Sequence, residues 1–147
     1  MMEVAMHQHL STDVGFLLSR ASGLVVRATN AALAEHGLRV RQYSVLTLAG
    51  EAERGVSQRE LATLLGLDPS QVVLLVDELA AAGLVERRPS ATDRRTNLVV
   101  ATGRGRDVQE RAALAAADAL AGTLSRLDPA QCDLLRTLLA EVVAPAG

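Results

Sequence analysis

Two marked helix starts stand eleven residues apart in the middle of this chain, with a glycine between them. Ser57-Gln58-Arg59-Glu60 has the form of a capping box, in which the serine hydroxyl accepts from the third amide and Glu60 reaches back. Asp68-Pro69-Ser70-Gln71 places an aspartate at the cap, a proline at the first helical position and a glutamine three residues after the cap. This punctuation forbids one long helix. It dictates two short ones, over about 58–65 and 69–82, joined through Gly66. Counting from Gln58, the small residue needed where two helices cross is Ala62, in the fifth position. The turn residue that tolerates positive φ is Gly66, in the ninth. Leu61, Leu65, Leu67, Val72 and Leu75 fall where the helices must pack. A plain helical hairpin in a core would share the caps. The coincidence of alanine, glycine and apolar positions favours a helix-turn-helix, whose second helix projects towards a DNA major groove.

The residues immediately C-terminal to this pair sharpen the assignment. Residues 84–88 and 96–100 read as strands around a polar turn at 89–95, giving a hairpin with a basic tip. A helix-turn-helix with such a hairpin after it is a winged helix. All 15 basic residues are arginine. Six of them face two carboxylates within 84–106, a local charge of +4 in a chain of net −2, so the remainder carries −6. An acidic body with one arginine-rich segment suits a polyanionic partner reached by that segment. The expected DNA contacts are Pro69, Ser70, Gln71, Val73 and Leu74 from the second helix, and Arg87, Arg88, Asp93, Arg94 and Arg95 from the wing. A guanidinium at the tip suits a narrow, electronegative minor groove, with Asp93 holding a neighbouring arginine. The competing reading is a surface ion pair that only braces the hairpin.

The flanks are helical. Val14, Leu17, Leu18, Ala21, Leu24, Val25, Ala28 and Ala32 recur at helical spacing over 11–36, and Gly37 comes next as a left-handed stop. A second helix is expected over 41–52, with Gly55-Val56 a turn or a single short strand. An alanine-rich helix is expected over 103–126, then another from the Asp128-Pro129 start. Phe16 and Tyr43 are the only aromatic residues, so the core must be Leu, Val and Ala. The fold class is mainly α with a small β-hairpin. One domain is expected over 11–147, with a winged helix-turn-helix at about 38–102, dimerisation helices at about 11–36 and 103–143, and a flexible tail at 1–10. Leu134, Leu135, Leu138, Leu139 and Val142 form an apolar stripe that a chain of 147 residues could not cover alone. Ala112, Ala115, Ala116 and Ala119 permit close helix approach. Together they predict an obligate homodimer.

Other classes fit poorly. No apolar run approaches the ~20 residues of a membrane span. The first ten residues do not read as a signal peptide, and the lone Cys132 fits a reducing cytoplasm. None of His7, His9 and His36 stands beside a nucleophile or carboxylate in a catalytic pattern, so no catalytic residue, metal or cofactor is expected. Gly103-Arg104-Gly105 is too short for a dinucleotide fingerprint. The rival to a DNA regulator is a winged-helix scaffold that binds protein. The apolar Val73-Leu74 step and the negative net charge support it, and salt dependence of DNA binding discriminates.

The chain resembles the multiple-antibiotic-resistance regulator (MarR) family over about 11–143. The carrying residues are Leu38, Gln42-Tyr43-Ser44-Val45-Leu46, Ser57-Gln58-Arg59-Glu60-Leu61-Ala62, Leu75-Val76-Asp77-Glu78-Leu79, Gly83-Leu84-Val85-Glu86-Arg87 and Asp93-Arg94-Arg95. The resemblance implies a dimer with interlocking first and last helices, two winged lobes on a pseudo-palindromic operator, and repression relieved by a small aromatic or anionic effector or an oxidant. It implies an effector cleft between the dimer helices and the lobe, for which Tyr43 and His36 are the polar candidates. Three departures stand out. Val73-Leu74 replaces a frequent Thr-Arg pair, Glu78 a frequent basic residue, and Arg39 the usual threonine opening the second helix. Polar base contacts then fall to Ser70 and Gln71, with Val73 or Leu74 touching thymine methyls. The peroxide-sensing branch of the family carries its cysteine in the first helix, where this chain has none, so Cys132 is expected to be inert.

Overall fold

The computed structural model describes residues 9–145, so the expected tail lies almost entirely outside the described residues. The order is α1 (Val14–Ala34), α2 (Val40–Glu51), β1 (Val56–Ser57), α3 (Gln58–Leu65), α4 (Pro69–Ala81), β2 (Val85–Pro89), β3 (Asn97–Ala101), α5 (Gly103–Thr123) and α6 (Pro129–Val143). α1 starts later than position 11 because Asp13 caps it, accepting from the Phe16 amide at 2.8 Å. Gly37, at φ 71°, turns the chain after α1. Asn30 of α1 then accepts from the Val40 amide at 2.9 Å, so one helix supplies part of the next helix's cap. α5 ends at Thr123, three residues short of the expected 126.

β1, β3 and β2 form one antiparallel sheet in that order. The hairpin register runs from Val85 opposite Ala101 to Pro89 opposite Asn97, and Val56 pairs with Val99. The short segment at 55–56 is thus a third strand on the hairpin. Gly55 makes that pairing possible. At φ 96° its α-carbon lies so close to the hairpin that a side chain would meet the Val99 carbonyl oxygen at 2.9 Å.

The core is wholly aliphatic, as the lack of aromatics requires. Leu33, Val45, Leu46, Leu61, Val72, Val76, Leu79 and Val99 are fully buried, joining α1 to α4 and the sheet. No polar or charged residue is buried among the described residues. α5 meets this lobe where Gly105 rests on the backbone of Leu84, and a Cβ there would lie 1.9 Å from the Leu84 carbonyl oxygen. Thr102 fixes the junction, its hydroxyl donating to the Gly83 carbonyl at 2.7 Å and accepting from the Gly105 amide at 3.0 Å. Farther along, α5 packs lengthwise on α1. Ala112 is fully buried and Ala116 partly so within the single chain. At these two positions the alanines therefore serve packing within the chain itself.

α6 is different. None of its residues is buried, and Leu134, Leu138, Leu139, Val142 and Val143 are exposed. Val14, Leu17, Leu18 and Leu24 of α1 are exposed as well. No helix among the described residues is long and apolar enough to cross a membrane.

Candidate nucleic-acid interface

α3 and α4 meet as the sequence spacing predicts. The Ser57 hydroxyl accepts from the Glu60 amide at 3.0 Å, and Gly66 adopts φ 64° in the turn. The Glu60 carboxylate accepts from the Ser57 hydroxyl at 3.2 Å, and Ser57 is also the end of β1, paired with Leu98. Leu61, Ala62 and Val72 are buried at the crossing, while Leu65, Leu67 and Leu75 are half-buried against it. At the start of α4 the Gln71 amide oxygen accepts from the Asp68 amide at 3.1 Å. Pro69, Ser70, Gln71, Val73 and Leu74 are all exposed. α4 thus buries Val72, Val76 and Leu79 and turns its other side outward, with Leu74 61% exposed.

The wing arginines divide into two pairs. Arg87 lies well down β2, opposite Val99, and is only half-exposed. Its guanidinium donates to the Asp77 carboxylate of α4 at 2.7 Å and to the Gln58 amide oxygen of α3 at 3.0 Å. It ties the wing to both helices of the helix-turn-helix. Arg88 pairs with Glu86 on its own strand. Arg94 and Arg95, at the tip, are exposed and enter no ion pair among the described residues. Asp93 holds no guanidinium among the described residues. Its two oxygens accept from the Arg95 amide at 3.0 Å and the Thr96 hydroxyl at 3.2 Å, which shapes the turn and leaves both arginine side chains free to extend.

The remaining candidates stand apart from this surface. Leu134, Leu138, Leu139 and Val142 are exposed along α6, with Leu135 half-buried. Tyr43 is half-buried in α2 against the core, and His36 is half-buried in the turn after α1. An open cleft of about 280 Å³ runs between α2, β3 and α5, lined by Leu46, Thr47, Gly50, Arg106, Gln109 and Glu110 among others. Neither Tyr43 nor His36 lines it. Cys132 is a free, half-buried thiol in the first turn of α6.

Sequence reasoning missed the side chains that act across elements. Asp77 and Gln58 anchor the wing through Arg87. Gln42 closes the start of α2, accepting from the Arg39 amide at 3.0 Å, and donates to Glu78 of α4 at 3.3 Å. Glu78, a departure from the family pattern, therefore has a partner inside the lobe. The signal in the sequence was the adjacent carboxylates Asp77 and Glu78 in the mostly apolar run 72–82, with arginines on the next strand.

The MarR family model matches residues 36–96. The chain is 32% identical over 102 residues to the HTH-type transcriptional regulator TtmR of Methylorubrum extorquens (strain PA1), covering 69% of this chain and 52% of that protein. It thus spans about half the length of that curated relative. Among solved structures it is similar to CouR from Rhodococcus jostii RHA1, crystallised with p-coumaroyl-CoA. That match has 44% identity and a TM-score of 0.87, and covers 94% of this chain and 96% of the other. It is also similar to a MarR-family transcriptional regulator from Rhodococcus sp. RHA1, at 43% identity, a TM-score of 0.88 and coverage of 92% and 96%. The agreement runs through the flanking helices as well as the winged lobe, and on it the chain belongs to the MarR family of transcriptional regulators.

Proposed function

We propose that this protein is a homodimeric repressor that binds a pseudo-palindromic operator and is released by a small aromatic or anionic ligand. The observation that carries the reading is the outward face of α4 beside a wing whose two tip arginines have no ion-pair partner among the described residues. Cations held free of carboxylates next to an exposed helix suit a phosphate backbone and the grooves it encloses. The first turn of α4, with Ser70, lies where a recognition helix meets base edges, and its N-terminal amides favour a nearby phosphate.

The unit at 38–102 acts as the reading head, and the helices at 11–36 and 103–143 as the dimer frame. Exposed leucines and valines on α1 and α6 support the frame, since a second copy covers an apolar face that one copy leaves in water. Two heads on a two-fold axis then meet two half-sites. A DNA partner places the protein in the cytoplasm. For the effector, support comes from CouR, a relative crystallised with p-coumaroyl-CoA, a ligand both aromatic and anionic. A genomic footprint tests the reading. Two protected half-sites, lost on adding an aromatic acid or its CoA thioester, are expected. A protein that protects no site, or whose footprint no such compound changes, contradicts the repressor or the effector half respectively.

A further inference from the structure

We infer that the centre of the recognition helix reads DNA through apolar contact with thymine methyl groups, carried by Leu74 and Val73, an inference that rests on the DNA-binding reading above. Ser70, Val73, Leu74, Asp77 and Glu78 share the exposed side of α4 at helical spacing. Most polar groups on or beside that side already have partners. The Asp77 carboxylate accepts from Arg87 at 2.7 Å. The Glu78 carboxylate accepts from Gln42 at 3.3 Å. The Gln71 amide oxygen accepts from the Asp68 amide at 3.1 Å, so this glutamine cannot present both oxygen and nitrogen to one adenine without giving up the cap. The Ser70 hydroxyl and the Gln71 amide nitrogen remain as donors at the edge of the face. Its middle is Val73, 39% exposed, and Leu74, 61% exposed.

Burying a large exposed aliphatic side chain against a partner is favourable, and Val73 and Leu74 lie together on one helix face. The flanking features identify that partner as DNA. The hairpin bearing Arg94 and Arg95 is fastened to α4 itself by Arg87, so the exposed helix and the wing belong to one braced unit. In the major groove the apolar feature of a base edge is the C5 methyl of thymine. Leu74 and Val73 have no hydrogen-bonding group, so discrimination falls on the methyl alone. Thymine is then preferred over cytosine by shape and apolar contact, without a donor or acceptor.

The test starts from duplexes that the wild-type protein selects from a random library. Each is resynthesised with deoxyuridine in place of one thymidine at a time, which deletes the methyl and keeps every hydrogen bond. One or more positions per half-site are expected to lose about fourfold in affinity, the value of one buried methyl-sized group. Leu74→Ala or Val73→Ala is expected to abolish that sensitivity at the matching position, whereas Ser70→Ala keeps it. Both apolar residues are exposed, so the alanine variants retain the fold. Equal affinity for thymidine and deoxyuridine duplexes at every position overturns the inference. So does methyl sensitivity that persists in both apolar variants, or salt-dependent binding with no sequence preference, and these outcomes leave DNA binding intact. Failure to bind any duplex overturns the DNA-binding reading along with it.

Discussion

Arg87 and Arg94 sit seven residues apart on one hairpin and carry out different tasks. Arg87 is held by Asp77 and Gln58, so its charge is neutralised within the lobe and its geometry is fixed. Arg94 extends into solvent without an ion-pair partner among the described residues. Arg94→Ala is expected to weaken binding to specific and random duplexes alike and to lower the salt slope by about one ion, with thermal stability unchanged. Arg87→Ala removes the strut between wing and helices. A partly buried charge-assisted contact of this kind contributes about 1 kcal/mol, so melting is expected to fall by about 2–4 °C. Because Arg87 is engaged internally, its loss should leave the salt slope nearly intact. Affinity titrations over a salt series and a thermal melt on both variants check the division. A reduced slope for Arg87→Ala, or a lowered melting temperature with an unchanged slope for Arg94→Ala, reverses the roles. At this scale the sequence was legible in part. It marked all five wing residues, but the partner of Arg87 lies ten residues away on another element, and only the fold brings them together.

At the scale of elements, the caps were the most legible feature. Ser57, Asp68, Gly66 and Asp128 set helix ends by local chemistry, and the structure places them at those ends. What local chemistry could not reveal was close approach. Gly105 reads as one more glycine at a helix start, yet it is the point where α5 touches the Leu84 backbone. Gly105→Ala would place a methyl 1.9 Å from that carbonyl oxygen, so α5 must shift or tilt away from the lobe. A loss of stability of roughly 1–3 kcal/mol is expected, read as a lower denaturation midpoint. An alanine variant as stable as the wild type would mean that the junction is loose. The alanine run of α5 was legible as a close-packing helix, but not its partner. A stripe of alanine is equally suited to a helix of its own chain and to one of a second copy, and Ala112 is buried against its own.

The whole molecule presents two surfaces that a lone chain leaves incomplete, the apolar sides of α1 and α6 and the α4–wing face. The first predicts association. Leu138, 55% exposed on α6, is expected to lie in the interface, and Leu138→Glu should shift the protein from dimer to monomer in sedimentation at micromolar concentration. A wild-type protein that is already monomeric there, or a variant that stays dimeric, removes α6 from the interface. The second surface explains how a chain of net charge −2 can serve a polyanion. The body carries a net charge of −6, whereas residues 84–106, which include the wing, carry a net +4. Net charge alone argued against nucleic acid, whereas the positions of individual arginines argue for it. The decisive measurement is therefore affinity against salt for the wild-type protein, on a selected operator duplex and on a random duplex of equal length. The expected result is a steep linear fall of log affinity with log salt on both, with two chains per site and tighter binding to the operator throughout. Absent binding, or affinity that does not change with salt, contradicts the DNA-binding reading and favours a protein partner for the exposed face of α4.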